Sequence, residues 1–481
     1  MNRAFACAAI LLFGATMTLS QTNSQEPDRT RRPGPQPVPH VALPAIQKAK
    51  LANGLAVWLV EKHKLPLVAM SLVIQSGADQ DPAGKPGVAT MTAELLDAGT
   101  GSRDVLQIAE ELEFLGASMS FRANTDASVG NAVTLTKHLD RTLALFADIL
   151  TNPVFPEKEF ERIRTQRVTS LLQQRDRAAI VASNALMHVM YGTLHPYGND
   201  ASGTEASLKS MTRNDIVAFY KASYRPGNAT LIVVGDIAMN DLLPRIEKSF
   251  AGWEQAQVAL RVPPDVLPAQ RRVVYLIDKP GAPQSEIRIG YPALARSTPD
   301  YFPVSVMNRI LGGQFSSRIN LNLREKRGYT YGARSAFIFL KHPGPFMASG
   351  GFVSAKTDSS VEQLVAEIKR MHAEGITAEE LAFAKKGMTG AFALNFETQA
   401  QVANTLQNLV LYGLPDDYYA TYLQNIDGVT LEDVRRVAAA YLNPDAMAIL
   451  VVGDAKLVKP GLEKLNLGPV VMLDTEGQLI P

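Results

Sequence analysis

The segment MTRNDIVAFYKASYRPGNATLIVVGDI, residues 211–237, has a second version in VTLEDVRRVAAAYLNPDAMAILVVGDA, residues 429–455. In each, a helical pattern runs to a tyrosine, a proline-containing turn follows, and an apolar run ends in Val-Val-Gly-Asp. The two copies lie more than two hundred residues apart, so the repeating unit is a whole domain and not a solenoid turn. The chain is therefore expected to hold two related domains, 45–251 and 271–457, joined by the Pro-containing stretch 252–270 and followed by a tail, 458–481.

The residues upstream of the first copy supply the remaining elements. In LANGLAVWLVEKHKLPLVAMSLVIQSGA two β-rich runs, Ala56 to Val60 and Leu67 to Ile74, follow an Asn53-Gly54 turn signal. From Val88 the period becomes helical, with Val88, Met91, Thr92, Leu95 and Leu96 on one face and Gly99 as the stop. Further helices are expected at Val105 to Leu115, Leu139 to Leu150, Glu157 to Gln174 and Ala178 to Met190, with two strands inside ASMSFRANTDASVGNAVTLT. This alternation points to an α+β fold, each domain a mainly antiparallel sheet with helices over one face.

With 481 residues, 46% of them hydrophobic and 20% charged, the chain can bury substantial cores. A formal net charge of +1 gives no electrostatic reason to bind nucleic acid or an anionic membrane. The opening MNRAFACAAILLFGATMTLS, residues 1–20, reads as a secretory signal peptide, and QTNSQEPDRTRRPGPQPVPH begins a Pro-rich linker over 21–44. Its apolar run is short for a membrane span, so the mature protein is expected to be exported, periplasmic and not membrane-inserted. The single cysteine, Cys7, lies within that signal, which leaves the mature chain without disulfides, thiolate metal sites or a cysteine nucleophile.

Several common chemistries have no sequence signature. There is no G-x-S-x-G elbow, no G-x-G-x-x-G opening a helix and no phosphate-binding loop, and GADQDPAGKP reads as a turn. The histidines at 40, 63, 138, 188, 195, 342 and 372 never fall three or four apart, so none forms a helical metal pair. His195, in LHPYG, reads as a cap at a helix end. The basic helix KEFERIRTQRVTSLLQQRDR carries Arg164, Arg167, Arg175 and Arg177, whose ordinary role is a solvated face with local ion pairs.

The segment GVATMTAELLDAGT, Gly87 to Thr100, resembles the zinc helix of the pitrilysin/insulinase peptidases, especially their short processing-peptidase-like branch. That helix reads approximately G-L-A-H-x-x-E-H-x-x-x-x-G-T in the family. Two histidines at i and i+4 hold zinc from one helix face, and the glutamate between them activates water. Here Thr90 stands at the first histidine, Ala93 at the glutamate and Glu94 at the second histidine. The family's third ligand, a glutamate on a later helix, is expected near Ser170, where no acid occurs between Glu161 and Asp176. No metal site is expected in this chain.

A second likeness lies in LGGQFSSRINLNLREKRGYTYGARSAF, residues 311–337, which is similar to the family's G-G-x-x-S-S-R-L-x-x-x-L-R-E-K-x-G-x-x-Y segment. The family's arginine and tyrosine fall on Arg324 and Tyr331. The resemblance implies that the arginine holds substrate carbonyls while the tyrosine hydroxyl stabilises the oxyanion, roles that suit a guanidinium and a phenol. The plain alternative has Arg324 pairing with Glu325 or capping the helix that ends near Gly328, and Tyr331 packing in a strand. Arg318, Arg327 and Tyr329 read as structural.

Likeness to the family extends from about Ala45 to Asp454, including NPVF at Asn152 and both Val-Val-Gly-Asp endings. It implies two facing domains that make half of a closed, clamshell-like chamber. The expected function is the non-catalytic, substrate-binding subunit of an exported heterodimeric zinc endopeptidase, inactive alone. A partner with intact H-x-x-E-H would carry the zinc, with peptides as substrates. The competing expectation is a peptide-binding scaffold of the same fold without proteolytic activity.

Overall fold

The structure, a computed structural model, describes residues 45–266 and 270–480; the signal-peptide and linker readings over 1–44, with Cys7 and His40, fall outside the described residues. The first half forms a six-stranded sheet from β1 (Gln47–Lys50), β2 (Ala56–Glu61), β3 (Leu67–Ile74), β4 (Ser118–Ala123), β5 (Ser128–Leu135) and β6 (Ala229–Gly235), in the order β1-β2-β6-β3-β5-β4. The second half repeats it with β7 (Val273–Asp278), β8 (Gln284–Leu294), β9 (Thr330–Phe337), β10 (Gly344–Val353), β11 (Ala448–Gly453) and β12 (Val470–Leu473), in the order β12-β7-β11-β8-β10-β9. Dropping the outer strands β1 and β12 makes the two orders superimpose. In each sheet the one inner parallel pair, β2 with β6 and β7 with β11, places the Val-Val-Gly strand beside the corresponding strand, β2 or β7.

The repeated segment owes its conformation to local chemistry. Thr212 and Thr430 each accept the backbone N–H three residues ahead, while Asp215 and Asp433 accept the N–H of the threonine in return. This reciprocal cap starts the helices Arg213–Ser223 and Leu431–Tyr441. A turn then feeds β6 and β11, every residue of which is buried. Strands buried on both faces read as continuous apolar runs, and both do.

Two-sided burial requires a second covering layer, and each half supplies it to the other. Helix Ala178–Tyr191 comes from the first half, yet Val181, Ala182, Ala185 and Leu186 pack with Ile277, Ala448, Leu450 and Val452 of the second sheet. Reciprocally, helix Gln399–Tyr412 sets Val402, Leu406 and Leu409 against Val60, Ala69, Ile232 and Val234 of the first sheet. The helices expected over a single face are present, and each sheet's other face is covered across the repeat. Arg288 of β8 tightens the exchange by donating to Ser183 Oγ and Ala179 O, both at 3.1 Å.

The called helices at Val105–Leu115 and Glu157–Gln174 have the expected bounds, and those at Leu139–Thr151 and Ala178–Tyr191 run one residue longer. The boundary at 457 needs correction. Residues Ala455–Lys464 form a helix and β12 pairs in parallel with β7, so 458–481 is not a tail outside the second domain. Leu462 and Leu473 are buried there, an apolar contribution that the short run after Pro460 concealed.

Candidate functional site

The zinc-helix segment folds as a helix, Val88–Leu95, with Val88, Ala89, Met91, Thr92, Ala93 and Leu95 buried. Gly87 opens it at φ +97°, and a Cβ there would meet Gly203 Cα at 2.9 Å, so glycine is required on two counts. A glycine offers no capping side chain, and Asp81 provides the cap from outside. Its carboxylate accepts the N–H groups of Gly87 and Ala89, both at 2.7 Å.

Asp81 also lines a cavity of about 830 Å³ shared with Asp79, Asn184, Asp200 and the linker residues Arg261–Pro264. Burial pushes its pKa up to about 7, against the lowering effect of the two backbone bonds. Burial likewise raises Asp79 to about 6. Between pH ~4 and 7 the folded chain keeps an Asp81 proton that the unfolded chain has lost, so stability falls as pH rises through that window. The cavity is open to water, which limits the effect to on the order of 1 kcal/mol. Urea unfolding at pH 5 and 7 should show this loss, and Asp81→Asn should flatten it.

The three motif positions have other occupations. Thr90 donates its hydroxyl to Ala201 O at 2.5 Å, and Ala93 is buried. Glu94 receives a bidentate ion pair from Arg167, at 2.7 Å from Nε and 2.6 Å from Nη2. The third donor of Arg167, Nη1, reaches Ser202 O at 3.1 Å. Ser170, at the expected third-ligand position, is exposed and beside Gln174. A cleft of about 410 Å³ lies here, lined by Glu94, Arg162, Arg167, Ser170, Gln174 and Ser202.

This donor set does not fit zinc. One carboxylate is already committed to a guanidinium, and the neighbouring groups are hydroxyls, amides and arginines. Among the described residues no three His, Cys, Asp or Glu side chains gather in a metal-binding arrangement. Arg167 instead ties helix Glu157–Gln174 to helix Val88–Leu95 and to the loop at Ser202. Arg167→Ala should lower stability by about 1 kcal/mol, less at high salt, as measured by urea titration at two ionic strengths. Of the other arginines read on this segment, Arg164 pairs with Glu161 and Arg175 with Glu205.

The Arg/Tyr segment is built on two backbone irregularities. Arg324 sits in a π-helical turn, Leu321–Lys326, a widened turn that recurs at functional sites. Tyr331 lies on the edge strand β9 at a bulge. Thr330 pairs with Phe352 and Ala333 with Gly350, leaving Tyr331 and Gly332 opposite Gly351 alone. Thr330 Oγ1 holds the bulge, donating to Gly351 O at 2.6 Å and accepting the N–H of Gly332 at 3.0 Å. The tyrosine ring is thrown outward and is 89% exposed, so it does not pack as a strand residue.

Arg324 contrasts with its neighbours. Arg318 is bidentate to Glu380, both bonds 2.6 Å, and Arg327 donates to Asn322 Oδ1 at 2.9 Å. Tyr329 packs against the second core. Among the described residues the Arg324 guanidinium donates no hydrogen bond; Glu325 lies 3.5 Å from its Nε, and the group stands over the Phe315 ring with Cζ 4.4 Å from the centroid. Both residues thus stand on irregular backbone, Tyr331 fully outward and Arg324 half-buried.

His195 accepts the N–H of Tyr197 at 3.0 Å and so caps a short turn, as read from the sequence. Burial, then His342, lowers its pKa to about 4. The motif's tyrosine matters more: Tyr197 donates to Asp126 at 2.6 Å, and Asp126 accepts the N–H of Lys341 at 2.7 Å, joining the halves. Sequence reasoning passed over Asp81 and Tyr197, and it read Arg167 as part of a solvated face with local ion pairs, whereas its partner Glu94 lies 73 residues away. Only Asp81 had a local sign, an acid shortly before a helix whose own cap is glycine.

The family model described as insulinase, peptidase family M16, matches residues 56–200, and that described as the peptidase M16 inactive domain matches 210–388, together more than half of the chain. The non-peptidase homologue YmxG of Helicobacter pylori is 23% identical, over 82% of this chain and 91% of its own. An uncharacterised zinc protease YmxG of Bacillus subtilis is 22% identical, over 84% and 98%. A crystal structure of a peptidase M16 inactive domain from Pseudomonas fluorescens superimposes with a TM-score of 0.80 at 29% identity, covering 85% of this chain and 97% of that one.

Proposed function

This chain belongs to the insulinase family of peptidases, M16, and on that premise we propose that it is the non-catalytic, substrate-binding subunit of an exported heterodimeric zinc endopeptidase. The observation that carries the reading is the pairing of two facts. The metal helix has lost its ligands and Arg167 occupies the remaining carboxylate, while Tyr331 stands outward on irregular backbone and Arg324, in a π-helical turn, donates no hydrogen bond among the described residues. A site kept only for packing would have buried those two side chains.

In the proposed complex a second M16 subunit with intact H-x-x-E-H carries the zinc and the general base. Arg324 donates its free N–H groups to main-chain carbonyls of a peptide lying along the open edge of β9. Tyr331 donates its hydroxyl to the oxyanion that forms when the scissile carbonyl is attacked. Both act as fixed donors, and their worth grows as docking excludes water around them. Export to the periplasm is part of the proposal, resting on the reading of residues 1–20; among the described residues no helix is long and apolar enough to cross a membrane.

The test is metal analysis and peptide cleavage by the purified mature chain, alone and mixed with the H-x-x-E-H subunit encoded nearest to it. A chain that is metal-free and inert alone but cuts in the mixture supports the reading. Stoichiometric zinc and cleavage by the chain alone overturn it. A mixture that binds peptides without cutting them favours the scaffold alternative.

A further inference from the structure

We propose that Phe315 is a positioning residue for Arg324: its ring is the platform that fixes the guanidinium, leaving the N–H edges of Arg324 free for substrate. The inference rests on the subunit function proposed above and names a further residue of the same site.

Four observations carry it. First, Arg324 Cζ lies 4.4 Å from the Phe315 centroid, within the range of cation–π attraction. Second, no hydrogen bond within the described residues sets the guanidinium's place, and the nearest carboxylate oxygen, of Glu325, is 3.5 Å from Nε. Beside that loose ion pair at Nε, the ring is the contact against the face of the guanidinium. A carboxylate in the same role would occupy the donors that substrate needs, whereas an aromatic face occupies none.

Third, Phe315 is 66% exposed. A phenylalanine chosen for core packing would be buried, and this one spends its remaining face on solvent. Fourth, the loop carrying it is anchored firmly. Asn320, only 4% exposed, donates to Phe315 O at 2.7 Å and accepts the N–H of Ala333 at 3.1 Å. One buried amide thus fixes the Phe315 loop to β9, the strand that bears Tyr331, from the first turn of the segment that bears Arg324. Gly312 completes the closure, since a Cβ there would stand 2.2 Å from Ser335 N of β9. Ring, guanidinium and tyrosine are held as one unit before any substrate arrives.

Two measurements test this. On the chain alone, NMR of selectively labelled arginine should show Arg324 side-chain protons displaced by the Phe315 ring current. That displacement should vanish in Phe315→Leu, with circular dichroism unchanged because the ring is exposed. In the complex with the H-x-x-E-H subunit, Phe315→Leu should lower kcat/KM for a peptide by about three- to thirty-fold, and Phe315→Tyr should restore most of it. In an Arg324→Ala background Phe315→Leu should have no further effect. An unshifted Arg324 resonance, an equal loss from Phe315→Leu in both backgrounds, or a silent Phe315→Leu beside a disabling Arg324→Ala overturns the inference and leaves the subunit function standing. A silent Arg324→Ala overturns both.

Discussion

Arg324→Ala and Tyr331→Phe are each expected to lower turnover of the assembled peptidase about a hundredfold or more while leaving assembly intact, because removal of a single oxyanion donor typically has that effect. The two variants remove different things. Tyr331→Phe deletes one hydroxyl from a ring that is 89% exposed and contributes nothing to packing, so its loss should fall on kcat. Arg324→Ala removes the group assigned to substrate carbonyls and should raise KM as well. Steady-state kinetics on the complex, with its size checked by sedimentation, separates these effects from failed assembly. Turnover at the wild-type rate by both variants would remove these residues from the site.

The second large effect concerns the exchanged helices. Leu186 is completely buried, and its Cδ2 stands 3.3 Å from where a Cβ on Gly290 of β8 would lie, so it packs directly against the second sheet. Leu186→Ala should cost about 2–5 kcal/mol. Because this helix belongs to the first half in sequence and the second in packing, both halves should lose stability together. Trp58 and Trp253 are the only tryptophans and both lie in the first half, so their fluorescence reports that half while far-ultraviolet circular dichroism reports the whole. The two unfolding curves should coincide and move together in the variant. Separate transitions would show that the helix exchange does not couple the halves.

Much of this architecture can be read locally. The repeated segment carries its own cap, turn and doubly buried strand, so two copies of it imply two copies of a sheet. The exchange of helices is a tertiary fact, but it left a trace: Ala178–Tyr191 and Gln399–Tyr412 contain no Asp, Glu, Lys or Arg. The lack of a charged face fits helices packed on more than one side, although Asn404 and Asn408 of the second stay exposed. The helix and β12 after Val-Val-Gly-Asp carry a weaker local sign: the helix contains Pro460 and the strand is only four residues long.

The candidate site divides in the same way. Missing ligands are a property of three positions and could be seen directly in Thr90, Ala93 and Glu94. What replaced them could not, since Arg167 meets Glu94 across 73 residues by helix packing that no local spacing encodes. Arg324 and Tyr331 were visible through their segment, but not the π-helical turn and bulge that turn them outward. Phe315 has no local sign of its own; only the fold sets its ring beside the guanidinium.

The central claim is that this chain lends donors to a metal site it does not itself possess. The most direct measurement is a titration of the mature chain into a fixed amount of the zinc-loaded H-x-x-E-H subunit, following cleavage of a fluorogenic peptide. The account predicts that the rate rises from near zero and saturates at an equimolar ratio, and that the Arg324→Ala, Tyr331→Phe double variant saturates at the same ratio with little activity. A partner that cuts at full rate without this chain, or whose rate does not respond to it, would contradict the account.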